Sequence, residues 1–145
     1  MKALIQRVSK AKVEVDGQIV GQIKQEILVF LGFEKNDQKP QVDKMINKLL
    51  AYRVFADEQG KMNLSVADIN GGVLVVSQFT LVADTKSGTR AGFSTAKPPV
   101  LAEALYDYFL SSIKLAHSSI SSGVFGADMQ VSLINDGPVT FLLEC

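Results

Sequence analysis

Hydrophobic and polar positions along this chain follow two periods in turn. Lys2–Val8 is mostly apolar and reads as a strand. From Lys12 to Gln22 the two kinds alternate, with Val13 and Val15 before Asp16-Gly17 and Ile19 after it. A period of two around an Asp-Gly pair predicts a hairpin closed by a type I′ turn. Ile27–Phe33 is a continuous apolar run of strand length, which predicts a strand buried on both faces. After Asn36-Asp37-Gln38-Lys39-Pro40 the period changes to that of a helix. Val42, Met45, Ile46, Leu49 and Leu50 form one apolar stripe, predicting an amphipathic helix over about residues 40–52 with proline in its first turn.

The second half repeats the switch. Tyr52–Ala56 reads as a short strand, Asp57–Asn63 as a turn around Gly60, and Val73–Val76 as a β-branched strand opened by Gly71-Gly72. Ala83–Pro99 is the longest irregular stretch, and long loops inside compact domains are often functional. Pro98-Pro99 opens a second helix whose buried face is expected at Val100, Leu101, Ala104, Leu105, Tyr108 and Phe109. Ala127–Asn135 and Val139–Glu144 read as two further strands. The order of elements predicts an α/β protein with mixed, largely antiparallel β-sheets in a layered β/β/α arrangement with two main helices. No linker or repeat interrupts it, so residues 1–145 are expected to form a single domain.

Charge narrows the function. Fifteen basic residues balance fifteen acidic ones, which argues against a protein that coats DNA or other long nucleic acid through a basic field. Gripping one end of an RNA needs only a few cations, and Arg7, Lys10, Lys12, Lys86, Arg90 and Lys97 are candidates. The longest apolar run, Ile27–Leu31, is far short of the ~20 residues that span a bilayer, so no membrane partner is expected. The one cysteine, Cys145, cannot form an internal disulfide, and a reducing cytoplasm fits it.

Catalytic side chains are scarce. With one histidine, His117, a His-His metal site is excluded, and no metal or other cofactor is expected. A Ser-His-Asp triad would have to use His117. There is no Gly-x-Ser-x-Gly elbow, P-loop or dinucleotide fingerprint. If the chain is an enzyme, something other than a side-chain base must activate the attacking group.

Two segments carry chemistry. Ser77-Gln78-Phe79-Thr80-Leu81 follows the buried run Val73–Val76. Read blandly, it continues a half-buried strand. Read as a site, it places hydroxyls, an amide, an aromatic ring and freed backbone N–H groups at a strand end, where α/β proteins often bind ligands. Gly137-Pro138 lies between apolar strand-like runs. It is a turn in Asn-Asp-Gly-Pro chemistry, or a turn that presents its own backbone for recognition.

Ser77-Gln78-Phe79-Thr80-Leu81 together with Asn135-Asp136-Gly137-Pro138-Val139-Thr140 resembles the D-aminoacyl-tRNA deacylase family. The opening Met-Lys-Ala-Leu-Ile-Gln-Arg-Val, Gly60-Lys61-Met62-Asn63-Leu64-Ser65 and Phe125-Gly126-Ala127 are also similar, so the resemblance covers nearly the whole chain. It implies an editing hydrolase that cleaves the ester of D-aminoacyl-tRNA and of glycine mischarged on tRNA-Ala. It further implies a cytoplasmic homodimer whose partner is the acceptor 3′ end of aminoacyl-tRNA. Gly137 and Pro138 would then form a cis peptide that reaches the other subunit's pocket and excludes L side chains. Ser77, Gln78, Phe79 and Thr80 would form the catalytic motif, with backbone N–H groups near Gln78 and Phe79 holding the carbonyl oxygen. Phe125 and Met129 fall where the family binds the terminal adenine. Thr80 is a possible nucleophile, but the family is better described as RNA-assisted, the terminal 2′-hydroxyl helping to activate water. One departure stands out: where the family commonly has Arg-Pro-Ser-Phe, this chain has Arg90-Ala91-Gly92-Phe93. Two other readings remain: a non-catalytic module that binds RNA 3′ ends, and a small esterase using Thr80 or a serine with His117.

Overall fold

The computed structural model describes residues 1–145. It has the predicted class: a mixed, largely antiparallel sheet that curls until it nearly closes, a second small sheet, and two helices against one face. Strands β1 (Lys2–Val15), β2 (Gln18–Ile23) and β3 (Glu26–Gly32) come first. Asp16 and Gly17 both have positive φ, 50° and 75°, the geometry of the expected type I′ turn between β1 and β2. Helix α1 (Lys39–Ala51) follows, then β4 (Arg53–Ala56) and β5 (Met62–Ser65), which pair into the small sheet. Sequence reading assigned Asp57–Asn63 to a turn and missed β5. The turn itself is held by Asp57, whose carboxylate accepts from Asn63 Nδ2 and from the backbone of Lys61 and Gln59. Those bonds, the one from Asn63 foremost, hold its carboxyl below the usual aspartate range. Strand β6 (Val73–Ser77), a 3-10 turn (Phe79–Val82), helix α2 (Pro99–Ala116), β7 (Ile120–Ser122) and β8 (Gln130–Glu144) complete the chain.

β1 organises the main sheet. One edge pairs with β8 along almost its full length; the other pairs with β3 near its start and with β2 near its end. β3 and β6 run parallel, as do β6 and β7, and Ser121 Oγ at β7 donates to Gln22 O at β2, bringing the curl nearly back to β1. The curl creates two cores. Met1 just before β1, Ala3 and Ile5 within it, the odd-numbered buried residues of β3, and both helices enclose a core of 22 residues. Val8, Ala11, Val13, Leu28, Leu74 and Val76 fill a smaller core of 6 inside the curl. Strands β3 and β6 serve both, which is why Ile27–Leu31 and Val73–Val76 are apolar at every position. β1 serves both as well, because it bulges at Ser9: Val8 lies opposite Asn135 and Lys10 opposite Ile134. The extra residue turns Ala11 and Val13 to the same side as Val8.

Two expectations are corrected. The buried face of α2 is Ala102, Tyr106, Phe109 and Ile113, whereas Val100 and Leu101 are 79% and 55% exposed. Of the expected face only Phe109 is fully buried, with Leu105 and Tyr108 half-buried. Residues 130–144 are one strand and not two around a turn. Both halves of β8 run antiparallel to the same neighbour, Glu144 opposite Lys2 and Gln130 opposite Glu14. A hairpin would have reversed direction at Gly137-Pro138. Instead β1 advances two residues from Gln6 to Val8 while β8 covers five from Asn135 to Thr140, and the surplus three leave the ladder as a bulge.

Candidate active site

β6 ends at Ser77, and the chain turns at once into the 3-10 turn Phe79–Val82. Gln78 is the pivot: its N–H still donates to Leu31 O on β3 at 2.7 Å, while its φ and ψ of −144° and 84° lead the chain away. Gly32 allows this, since a Cβ there would meet Val82 Cγ1 at 2.8 Å and the carbonyl of Gln78 at 3.1 Å. The segment is therefore a strand end, not a continuing strand. The backbone donors differ slightly from expectation. The Gln78 N–H is used by Leu31, whereas those of Phe79 and Thr80 have no acceptor within the protein and open the turn. Thr80 Oγ1 accepts from the Gln78 side-chain amide.

Beside this strand end lies a cleft of about 690 Å³, in the range of small-ligand sites. Ser77, Gln78 and Phe79 line one side, Phe125, Ala127 and Met129 the other, with Lys97 and the Pro98-Pro99 start of α2 closing the end. Five of the six expected residues of the motif and adenine pocket thus meet in one place, although about fifty positions separate their segments. The far wall is well supported. Phe125 packs on Tyr106 with ring centroids 5.6 Å apart, and Tyr106 donates its hydroxyl to Val75 O at 3.1 Å. Burial pushes the Tyr106 phenol well above its usual pKa, the Asp107 carboxylate adding to the effect, so the hydroxyl stays a donor. Gly123 N donates to the same carbonyl at 2.9 Å, which ties the Phe125 loop to β6. At the mouth, Phe79 and Phe93 pack with their rings tilted by 45° and centroids 5.1 Å apart, and Phe79 is 63% exposed. Lys97, Phe93 and the prolines were not singled out as pocket residues from sequence; the signals there were the charge of Lys97, the family segment that ends at Phe93 and their position in or beside the long loop.

Gly137 and Pro138 stand elsewhere, exposed at the crest of the β8 bulge and outside the lining of the cleft. The peptide joining them is cis. Asn135 braces the bulge from within, accepting from Val139 N at 2.7 Å and donating to Val139 O and Thr140 Oγ1. Arg7 braces it from β1: Nε donates to Asp136 O at 2.9 Å and a terminal guanidinium nitrogen to Val54 O at 2.7 Å. Arg7 is thus engaged by the bulge and is not free to grip RNA, as its charge alone had suggested. His117, the sole histidine, caps α2, is buried, and bonds the carbonyl of Gly71 through Nε2. Gly71 precedes the start of β6, so His117 is roughly 15 Å of strand away from the motif at its end.

A nearly closed mixed sheet, two helices on one face and a cleft at a strand end make this a small α/β protein with a site of ligand size, and the family model it matches is that of an ester-cleaving deacylase. The chain belongs to the D-Tyr-tRNA(Tyr) deacylase family, whose model matches residues 4–144. It is 60% identical to the D-aminoacyl-tRNA deacylase of Pseudomonas fluorescens (strain Pf0-1) over 144 residues, 99% of each chain. The enzyme of the same name from Cellvibrio japonicus (strain Ueda107) is 56% identical over the same span. Among solved structures, the c-Myc DNA Unwinding Element Binding Protein superposes with TM-score 0.96 at 41% identity, covering 100% of this chain and 99% of its own. A probable eukaryotic D-amino acid tRNA deacylase shares the fold, with TM-score 0.87 at 16% identity over 98% of this chain and 97% of its own.

Proposed function

We propose that the protein hydrolyses the ester joining a D-amino acid to the 3′ end of tRNA, releasing free amino acid and tRNA, and clears glycine from tRNA-Ala by the same step. The observation that carries this reading is the convergence of Ser77, Gln78, Phe79, Phe125 and Met129 on one cleft in a chain of the deacylase family. The ester carbonyl accepts from the free N–H groups of Phe79 and Thr80, an oxyanion site of fixed donors. The terminal adenine lies between Phe125 and Met129. The 2′-hydroxyl of the terminal ribose activates water. In support, the only hydrogen bond recorded to the Thr80 hydroxyl comes from an amide, and His117 is far away.

Chirality is set across a homodimer. Gly137 and Pro138 of one subunit face the other subunit's cleft, and their carbonyls leave room for a hydrogen but not for an L side chain on the α-carbon. Glycine passes because it has no side chain. The exposed, doubly braced bulge outside its own cleft supports this, as does β8, which pairs on one edge only. Residues 1–145 act as one domain, in the cytoplasm where tRNA is charged, without metal or cofactor. No helix is long and apolar enough to cross a membrane. No role on DNA is proposed, because a chain of zero net charge lacks the field that duplex binding draws on.

Parallel incubation with D-tyrosyl-tRNA and L-tyrosyl-tRNA tests the reading: the D form is hydrolysed and the L form persists, with or without a chelator. Equal rates on both, or no reaction with the D form, would sink it. Thr80→Ala is expected to keep most of the D-specific rate; near-complete loss in a folded protein would make Thr80 the nucleophile. His117→Ala is expected to lower stability by about 1–3 kcal/mol by orphaning the Gly71 carbonyl, with unchanged turnover per folded molecule. An inactive but folded His117→Ala would revive the esterase reading.

A further inference from the structure

We infer that the loop Asp84–Phe93 is a rest for the single-stranded nucleotides that precede the terminal one, with Lys86 and Arg90 on their phosphates and Phe93 against a base. The inference rests on the deacylase reading and extends it beyond the cleft. Asp84 and Gly92 exchange both backbone hydrogen bonds, at 2.8 and 2.9 Å, so the loop is a closed finger and not a loose strand of chain. Its base is anchored where Thr95 Oγ1 donates to Val82 O at 2.6 Å, directly behind the 3-10 turn of the catalytic motif. The finger therefore keeps a fixed place beside the cleft, and Phe93 at its root already lines the cleft and packs on Phe79.

The charges on it are free. Neither the Lys86 ammonium nor the Arg90 guanidinium belongs to any ion pair, and both residues are exposed. The one acid on the finger, Asp84, sits at its base, where Oδ1 accepts from Lys86 N at 3.0 Å, and leaves the finger a net charge of +1. Lys97 continues the same side at the cleft wall, its Nζ donating to Lys35 O. In a chain with no net charge, two unneutralised cations beside an exposed aromatic pair are what a short single strand needs: local charge along its backbone and a face for stacking. Few phosphates would be touched, so binding is weak and local, unlike that of a protein that coats nucleic acid.

The test compares Lys86→Ala/Arg90→Ala with wild type on two substrates, D-tyrosyl-tRNA and D-tyrosyl-adenosine, which ends at the terminal nucleoside. The double variant is expected to raise KM for the tRNA roughly tenfold with kcat unchanged and to lower the salt slope of log kcat/KM by about 1.4, two contacts at the single-strand value. D-tyrosyl-adenosine should be hydrolysed as by wild type, which also reports an intact fold. Lys86→Arg/Arg90→Lys should restore the tRNA KM. Equal losses on both substrates, or an unchanged tRNA KM and salt slope, would overturn the inference. Affinity for a short oligonucleotide ending in CCA separates it from the catalytic reading. If wild type hydrolyses neither substrate yet binds the oligonucleotide more tightly than the variant, the finger stands and the hydrolase reading falls.

Discussion

Gly137→Ala is expected to lower kcat/KM on D-tyrosyl-tRNA by about 100-fold, at a cost in stability of about 1–2 kcal/mol. A Cβ at this position would lie 2.7 Å from both the backbone N and the Cγ2 of Val139. The backbone atom cannot swing aside as a side-chain tip would, because Val139 N is held by Asn135 Oδ1. The φ of 152° adds strain for any residue with a Cβ. The crest of the bulge must shift, and the carbonyls proposed to face the partner's cleft shift with it. The loss of stability goes no further because the site is exposed and outside both cores. Gly60→Ala separates strain from contact: Gly60, in the turn between β4 and β5 and outside the cleft, has a φ of 77° but nothing within 4 Å of where an added methyl group would sit, so it should cost about 1 kcal/mol and no selectivity. A Gly137→Ala protein that stays fully active and D-selective would remove the bulge from the recognition surface.

Phe109→Ala should be the most destabilising single change among those considered. The ring is fully buried in the larger core, and such truncations cost about 3–5 kcal/mol. Domains of this size have roughly 5–15 kcal/mol in total, so about a fifth or more is lost, and the melting temperature falls by roughly 10–15 °C. The damage also reaches the cleft, since α2 supplies Ala102 to its wall and Tyr106 beneath Phe125. Val100→Ser, next to Pro99 at the end of the cleft but 79% exposed, should change stability by less than about 0.5 kcal/mol. Phe109 belongs to both faces, so the melt of Val100→Ser decides which face of α2 is buried: a large loss would reinstate the face expected from sequence.

That face shows where pattern reading ran short. β1 to β3 and α1 were legible because one period dominated each. In α2 two apolar stripes compete, and Ala102-Tyr106-Phe109-Ile113 was outweighed by the denser Val100, Leu101, Leu105 and Tyr108. Sequence records apolarity, and only packing decides which of two apolar faces turns inward. β8 failed for a different reason. Whether a chain reverses at Asn-Asp-Gly-Pro depends on what lies alongside, here β1, more than a hundred residues away. Short β5 and β7 gave too few positions to establish a period. The cleft was legible only through family resemblance, since nothing local brings Ser77–Phe79 to Phe125 and Met129. The bracing of the bulge by Arg7 and Asn135 left no local sign either.

The bulge in β8 also constrains how this chain can change in length. Val131 and Leu133 pack on the smaller core, while Val139, Phe141 and Leu143 pack on the larger one, across the sheet. These residues all have odd numbers, and an uninterrupted strand would send them to one side. An odd number of residues outside the ladder is what switches the side. Deleting or inserting one residue between Asn135 and Thr140 would turn Phe141 and Leu143 to the wrong face; only changes by two preserve both cores. The bulge is therefore a parity lock, and its length is held by the packing of two hydrophobic cores independently of whatever its crest recognises.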